Sequence, residues 1–82
     1  MRSIRVHNEF INDVELELGK RYSMSDDFYG NVEGILVAIN KHYVFTDGDV
    51  SVHDIPNITL RIENTWDDRN LLIEDICRID SI

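Results

Sequence analysis

Hydrophobic and polar positions alternate along much of this chain, and the alternation predicts strands. Ile4 and Val6 alternate with Arg5 and His7, which marks a short first strand. Val14, Leu16 and Leu18 share one face and Glu15 and Glu17 the other, the pattern of a half-buried strand with an acidic solvent side. Ile58, Leu60 and Ile62 alternate with Thr59, Arg61 and Glu63 in the same way. Between these lies the longest apolar segment, residues 32–48. Ile35 to Ile39 is expected to be buried on both faces. Asn40-Lys41-His42 breaks the run, and Tyr43 to Thr46 resumes it with β-branched and aromatic residues before Asp47-Gly48 closes it. This predicts two central strands joined by a short turn. The segment is too short, and too interrupted, for a membrane helix.

Punctuation places the remaining boundaries. Asn12-Asp13 is a turn signal, and Gly19 permits a bend. Residues 23–31 mix turn formers with two aromatics; Ser25-Asp26-Asp27 is suited to capping one helical turn. Phe28 is expected to fold under this loop as a satellite of the core, leaving Tyr29 exposed. Gly34, inside a strand, marks a bulge or sharp bend, as a curled sheet requires. Val50 and Val52 extend a hairpin from Asp47-Gly48, and Pro56 ends it. Residues 64–70 form a polar loop carrying the only tryptophan, Trp66. Ile73, Ile76, Ile79 and Ile82 recur at spacing three. That spacing fits a short helix, but the β-branched content favours a tight turn leading into a last strand. The expected architecture is mainly β, an antiparallel barrel of five to seven short strands with at most a helical turn. Ile35, Leu60 and Ile79 should meet in its interior.

Eighty-two residues, 43% apolar and 29% charged, make one globular domain spanning 1–82. The first residues lack the apolar core of a signal peptide, which leaves Asn57-Ile58-Thr59 an idle glycosylation sequon and makes the cytoplasm the expected location. Cys77 has no disulfide partner and, lying in an apolar-periodic stretch, reads as a buried structural thiol. Sixteen Asp and Glu against eight Lys and Arg give a net charge of −8. Such a surface repels phosphate backbones and anionic membranes, so neither direct nucleic acid nor membrane binding is expected; a basic protein surface is the favoured partner. Solubility alone is the competing explanation of the charge.

Residues 34–82 resemble the Sm-type and SH3-like small β-barrels, including the YolD-like family of short bacterial and phage proteins. The resemblance is carried by Gly34-Ile35-Leu36 opening a bent strand, by Tyr43 to Gly48 as strand and turn, and by Leu72 to Ile79 as a short turn plus final strand. It implies a small barrel in which residues 49–56 form an insertion. The Asp and Asn signature by which true Sm proteins bind RNA is absent, so RNA binding does not carry over.

Candidate chemistry is sparse. Asp47, Asp49, Ser51 and Asp54 imitate the start of a calcium loop, but Val52 stands where its glycine belongs and no glutamate closes it; turn chemistry explains them better. His7, His42 and His53 are scattered, without a helical pair. No nucleophile–base arrangement and no phosphate-binding glycine loop is present, and a barrel this small fills its own interior. The expectation is a non-enzyme with no cofactor. Trp66, Asp67 and Asp68 in one loop, and Asp26, Asp27 and Tyr29 in another, form acidic-aromatic patches suited to anchoring on a basic partner. Trp66 either serves there or folds back as a lid over one barrel end. A phage-type inhibitor of a nucleic-acid-binding protein fits this pattern. The alternatives are an oligomer binding a nucleotide through Arg5, Lys20, Arg21 and Arg78, and an accessory subunit docking by an edge strand.

Overall fold

The structure, a computed structural model, describes residues 2–40, 56–63, 65 and 67–82. Among the described residues the regular elements are seven β-strands and one 3-10 turn. β1 (Ser3–Val6) and β2 (Val14–Glu17) form a two-stranded antiparallel sheet in which Ile4 faces Leu16 and Val6 faces Val14. Val6 and Leu16 are fully buried, as the alternation requires. Leu18 departs from the expected face and is 37% exposed. The strand ends at Glu17; the Leu18 amide donates to Arg2 O, and Gly19 turns the chain at φ +87°.

The second sheet has five antiparallel strands: β3 (Arg21–Asp26), β4 (Gly30–Asn40), β5 (Asn57–Arg61), β6 (Asp68–Leu72) and β7 (Ile76–Ser81), in spatial order β6-β5-β4-β3-β7. The long β4 is shared between two neighbours. Its first half pairs with β3, from Gly30↔Asp26 to Ile35↔Arg21, and its second half with β5, from Ile35↔Arg61 to Asn40↔Asn57. The bulge foreseen near Gly34 lies between Leu36 and Ala38. Gly34 has a different task. A Cβ there would sit 2.3 Å from Arg61 O, so only glycine lets the two backbones approach this closely. Tyr43 to Thr46, the Asp47-Gly48 turn and the Val50–Val52 extension lie outside the described residues. Where β4 has a partner on that edge, the partner is β5.

The connection from β6 to β7 bends the sheet. These are its two edges, yet only the 3-10 turn Ile73–Asp75 separates them. Five strands about 4.8 Å apart would place flat edges roughly 19 Å from each other. A 3-10 turn advances about 2 Å per residue, so the edges must curl toward one another. This settles the spacing-three segment as a tight turn plus final strand. The described residues contain no β6–β7 pairing, so no closed barrel is seen among them.

One apolar cluster lies inside the curl: Val6, Ile11, Leu16, Tyr22, Met24, Val32, Leu36, Ile58, Leu60, Leu71, Ile73 and Ile76. Leu60 belongs to it and the partly buried Ile79 packs against it, but Ile35 does not join them. On β4 the even positions Val32, Gly34 and Leu36 face inward, which puts Ile35 and Val37 on the other, half-buried face. The apolar run is therefore not buried on both sides. Asn8 ties the small sheet to the large one. Its side-chain amide donates to Ile73 O (2.7 Å) and Ile76 O (2.8 Å), while Oδ1 accepts from the Phe10 and Ile11 amides. Tyr22 adds a second tie, its hydroxyl accepting from the Glu17 amide at 2.9 Å. Among the described residues no helix is long and apolar enough to cross a membrane.

Candidate docking surface at the β3–β4 turn

The turn from β3 to β4 is built by Asp26. This carboxylate is only 5% exposed, and its Oδ1 accepts from the Phe28 amide (2.7 Å) and the Tyr29 amide (2.9 Å). The side chain thus imitates a backbone turn, and Gly30 at φ +77° reverses the chain. No helical turn forms. Asp26 is consumed in shaping the loop, whereas its neighbour Asp27 is exposed.

The tight turn throws Phe28 outward. It is 82% exposed, the most exposed large apolar side chain described, and not the core satellite its hydrophobicity suggests. The turn that Asp26 holds leaves both rings on the surface, where the sequence predicts only Tyr29. Tyr29 is 47% exposed and meets Phe28 edge to face, with ring centroids 5.1 Å apart. The Arg69 guanidinium of β6 lies 5.9 Å from the Tyr29 centroid, a cation–π approach. Since Arg69 follows the β5–β6 turn, this contact brings the two acidic-aromatic loops to one end of the sheet.

The second loop is partly described. The Ile62 amide donates to Asp67 O at 2.8 Å and closes the turn; Asp67 is exposed. Asp68 faces Arg61 across β5 and β6, and the two form a bidentate pair, Nε–Oδ1 2.9 Å and Nη2–Oδ2 3.3 Å. The guanidinium holds the Asp68 carboxyl below the usual range, and Asp68 raises Arg61 in return. Asp68 is therefore compensated within the chain. Trp66 lies outside the described residues.

Negative charge gathers behind the aromatic pair. Partial burial pushes Asp75 up, and the charges of Asp26, Glu74 and Asp27 add to it. The Asp27 amide donates to Asp75 O, while Asp27 Oδ1 accepts the Cys77 thiol at 3.0 Å. Accepted by a carboxylate and partly desolvated, Cys77 is pushed up to about 11. Cys77 is half-buried, the extra residue where β7 slips register against β3. Cys77 is thus not the fully buried thiol that the apolar-periodic stretch predicts.

Beside the turn runs a shallow groove of about 430 Å³, lined by Tyr29, Asn31, Val32, Glu33, Ile62 and Arg69. A second hollow of about 280 Å³, which includes Arg21, Gly34, Glu63 and Ile82, joins it at Glu33 and Ile62. Of the cations read as phosphate contacts, Lys20 pairs with Glu17 at 3.2 Å, Arg21 with Glu63 and Arg78 with Asp80. His7 stands 3.9 Å from Asp13, and the calcium-like residues 47–54, with His42 and His53, fall outside the described residues. Among the described residues no three His, Cys, Asp or Glu are grouped to hold a metal.

Three features escape the one-dimensional pattern: the outward Phe28, the Arg69–Tyr29 contact and the Arg61–Asp68 pair. Only the first left a local signal, an Asp two residues before an aromatic and four before a glycine. No family model, curated protein or solved structure matches this chain.

Proposed function

We propose that this chain is a non-catalytic protein-binding module of SH3-like barrel type. Its acidic, aromatic end docks on a basic, nucleic-acid-binding surface of another protein, in the manner of a phage-type inhibitor. The observation that carries the reading is Phe28, 82% exposed beside a half-exposed Tyr29, on a chain of net charge −8. An aromatic pair held out by a rigid turn loses little entropy on binding, and flanking carboxylates complement Lys and Arg. The curl imposed by the 3-10 turn between the edge strands supports the barrel assignment. The pairing of Lys20, Arg21 and Arg78 with carboxylates weighs against a nucleotide site.

The test is interferometry of the immobilised chain against a panel of basic nucleic-acid-binding proteins. Binding should weaken steeply with salt, and Phe28→Ser should weaken it about tenfold, the effect of one interface anchor. Failure to bind any member, or indifference to Phe28→Ser and Asp67→Lys together, removes the reading.

A further inference from the structure

The first half of β4 has a neighbour on one edge only. β3 covers Gly30 to Ile35, but on the opposite edge β5 stops at Arg61, opposite Ile35. The chain then leaves the ladder, because the Ile62 amide is taken by Asp67 O and Glu63 is drawn to Arg21. Strand alternation tells which backbone groups this exposes. Leu36 uses both its amide and its carbonyl toward the Gly19–Lys20 side, so the even positions of this stretch address β3. Asn31 and Glu33 therefore aim their amides and carbonyls at the opposite edge, where the described residues supply no strand. That edge forms the wall of the 430 Å³ groove.

The lining indicates what fits. Glu33 has no ion-pair partner among the described residues: Arg21 and Arg78 are held by Glu63 and Asp80, and Arg69, the cation of the groove lining, lies against the Tyr29 ring. Ile62, Val32 and the Tyr29 ring supply the apolar part of the lining. We propose that the open edge of β4 at Asn31 and Glu33 receives an extended basic segment of a partner protein as an added strand, with a guanidinium or ammonium group on Glu33. The inference rests on the protein-binding reading and names its partner class. Two residues with paired backbone bonds define a short slot. A cation opposite Glu33 completes the cross-strand pair, and the field of the whole chain draws it in.

The test is a titration, followed by amide NMR, with a blocked heptapeptide alternating arginine and valine. A second peptide carries the same charges with its central amides N-methylated. We expect the first to bind, shifting Asn31, Glu33 and Ile62 and slowing exchange of the Asn31 and Glu33 amides, and the second not to. Glu33→Gln, an exposed change on a strand, should weaken binding about tenfold, the worth of one charge-assisted contact. Glu9→Gln, in the β1–β2 loop, should leave it unchanged. Equal binding of both peptides overturns the strand slot while leaving the protein-binding reading in place. Protection of the same amides with rising protein concentration alone assigns the slot to a second copy and overturns the basic occupant. Absence of binding to either peptide, with a basic protein still captured, overturns the slot alone; absence of both removes the two readings together.

Discussion

At the scale of single residues, the chain depends on a few positions whose chemistry has no substitute. Gly34 is one. Its missing side chain is occupied space, because Arg61 O lies 2.3 Å and Arg61 C 2.8 Å from where a Cβ would stand. Neither atom belongs to a flexible side chain, so β4 and β5 would have to separate. We expect Gly34→Ala to destabilise the fold by about 2–3 kcal/mol, the range of other overpacked sites, read from the urea midpoint. Cys77 is another. Its thiol is pushed up from the ordinary 9.0 to about 11 because Asp27 accepts its hydrogen bond. The folded state thus holds the proton more tightly than the unfolded chain. The stabilisation is complete below pH 9.0 and is lost as pH rises toward about 11. Iodoacetamide alkylation of native protein should follow the higher value, and Asp27→Asn should move the profile down and speed the reaction at pH 8.

At the scale of elements, joints matter more than strands. Asn8 satisfies four backbone groups: the carbonyl that opens the 3-10 turn, the carbonyl just after it, and two amides of its own loop. Asn8→Ala leaves them without these partners and unfastens the β1–β2 loop from the β6–β7 junction. The expected cost is about 2 kcal/mol, with faster hydrogen exchange concentrated at Phe10, Ile11 and Ile76. Exchange that rises uniformly over all strands would mean that the two sheets open as one unit. The β3–β4 turn is a joint of the same kind. Asp26 fixes the backbone of this turn from a buried position, through the amides of Phe28 and Tyr29.

At the scale of the whole molecule, the charge balance dominates. The −8 net charge is what remains after all eight cations are counted, so local pairs such as Arg61–Asp68 and Lys20–Glu17 leave it untouched, and carboxylates crowd around Asp75. Self-repulsion should therefore exceed what the pairs contribute at neutral pH. Raising NaCl from about 20 to about 300 mM shortens the screening length severalfold and should raise the melting temperature. A lower melting temperature would show that the ion pairs outweigh the repulsion.

The sequence by itself determined the β character, the alternating faces of β1 and β5, the turn before the last strand and the acidic surface. These follow from neighbours in the chain, since side-chain period and turn chemistry are local properties. It misjudged Phe28, Leu18 and Ile35, because hydrophobicity states what a side chain favours and not whether a tight turn or a strand's parity grants it. Only the tertiary structure decided that Asp26 is structural, that Asp68 is neutralised by Arg61, that Arg69 meets Tyr29 and that β5 stops short of Glu33. The Arg69–Tyr29 contact and the end of β5 beside Glu33 relate strands distant in sequence, and register across a curled sheet is fixed by packing that no single strand encodes.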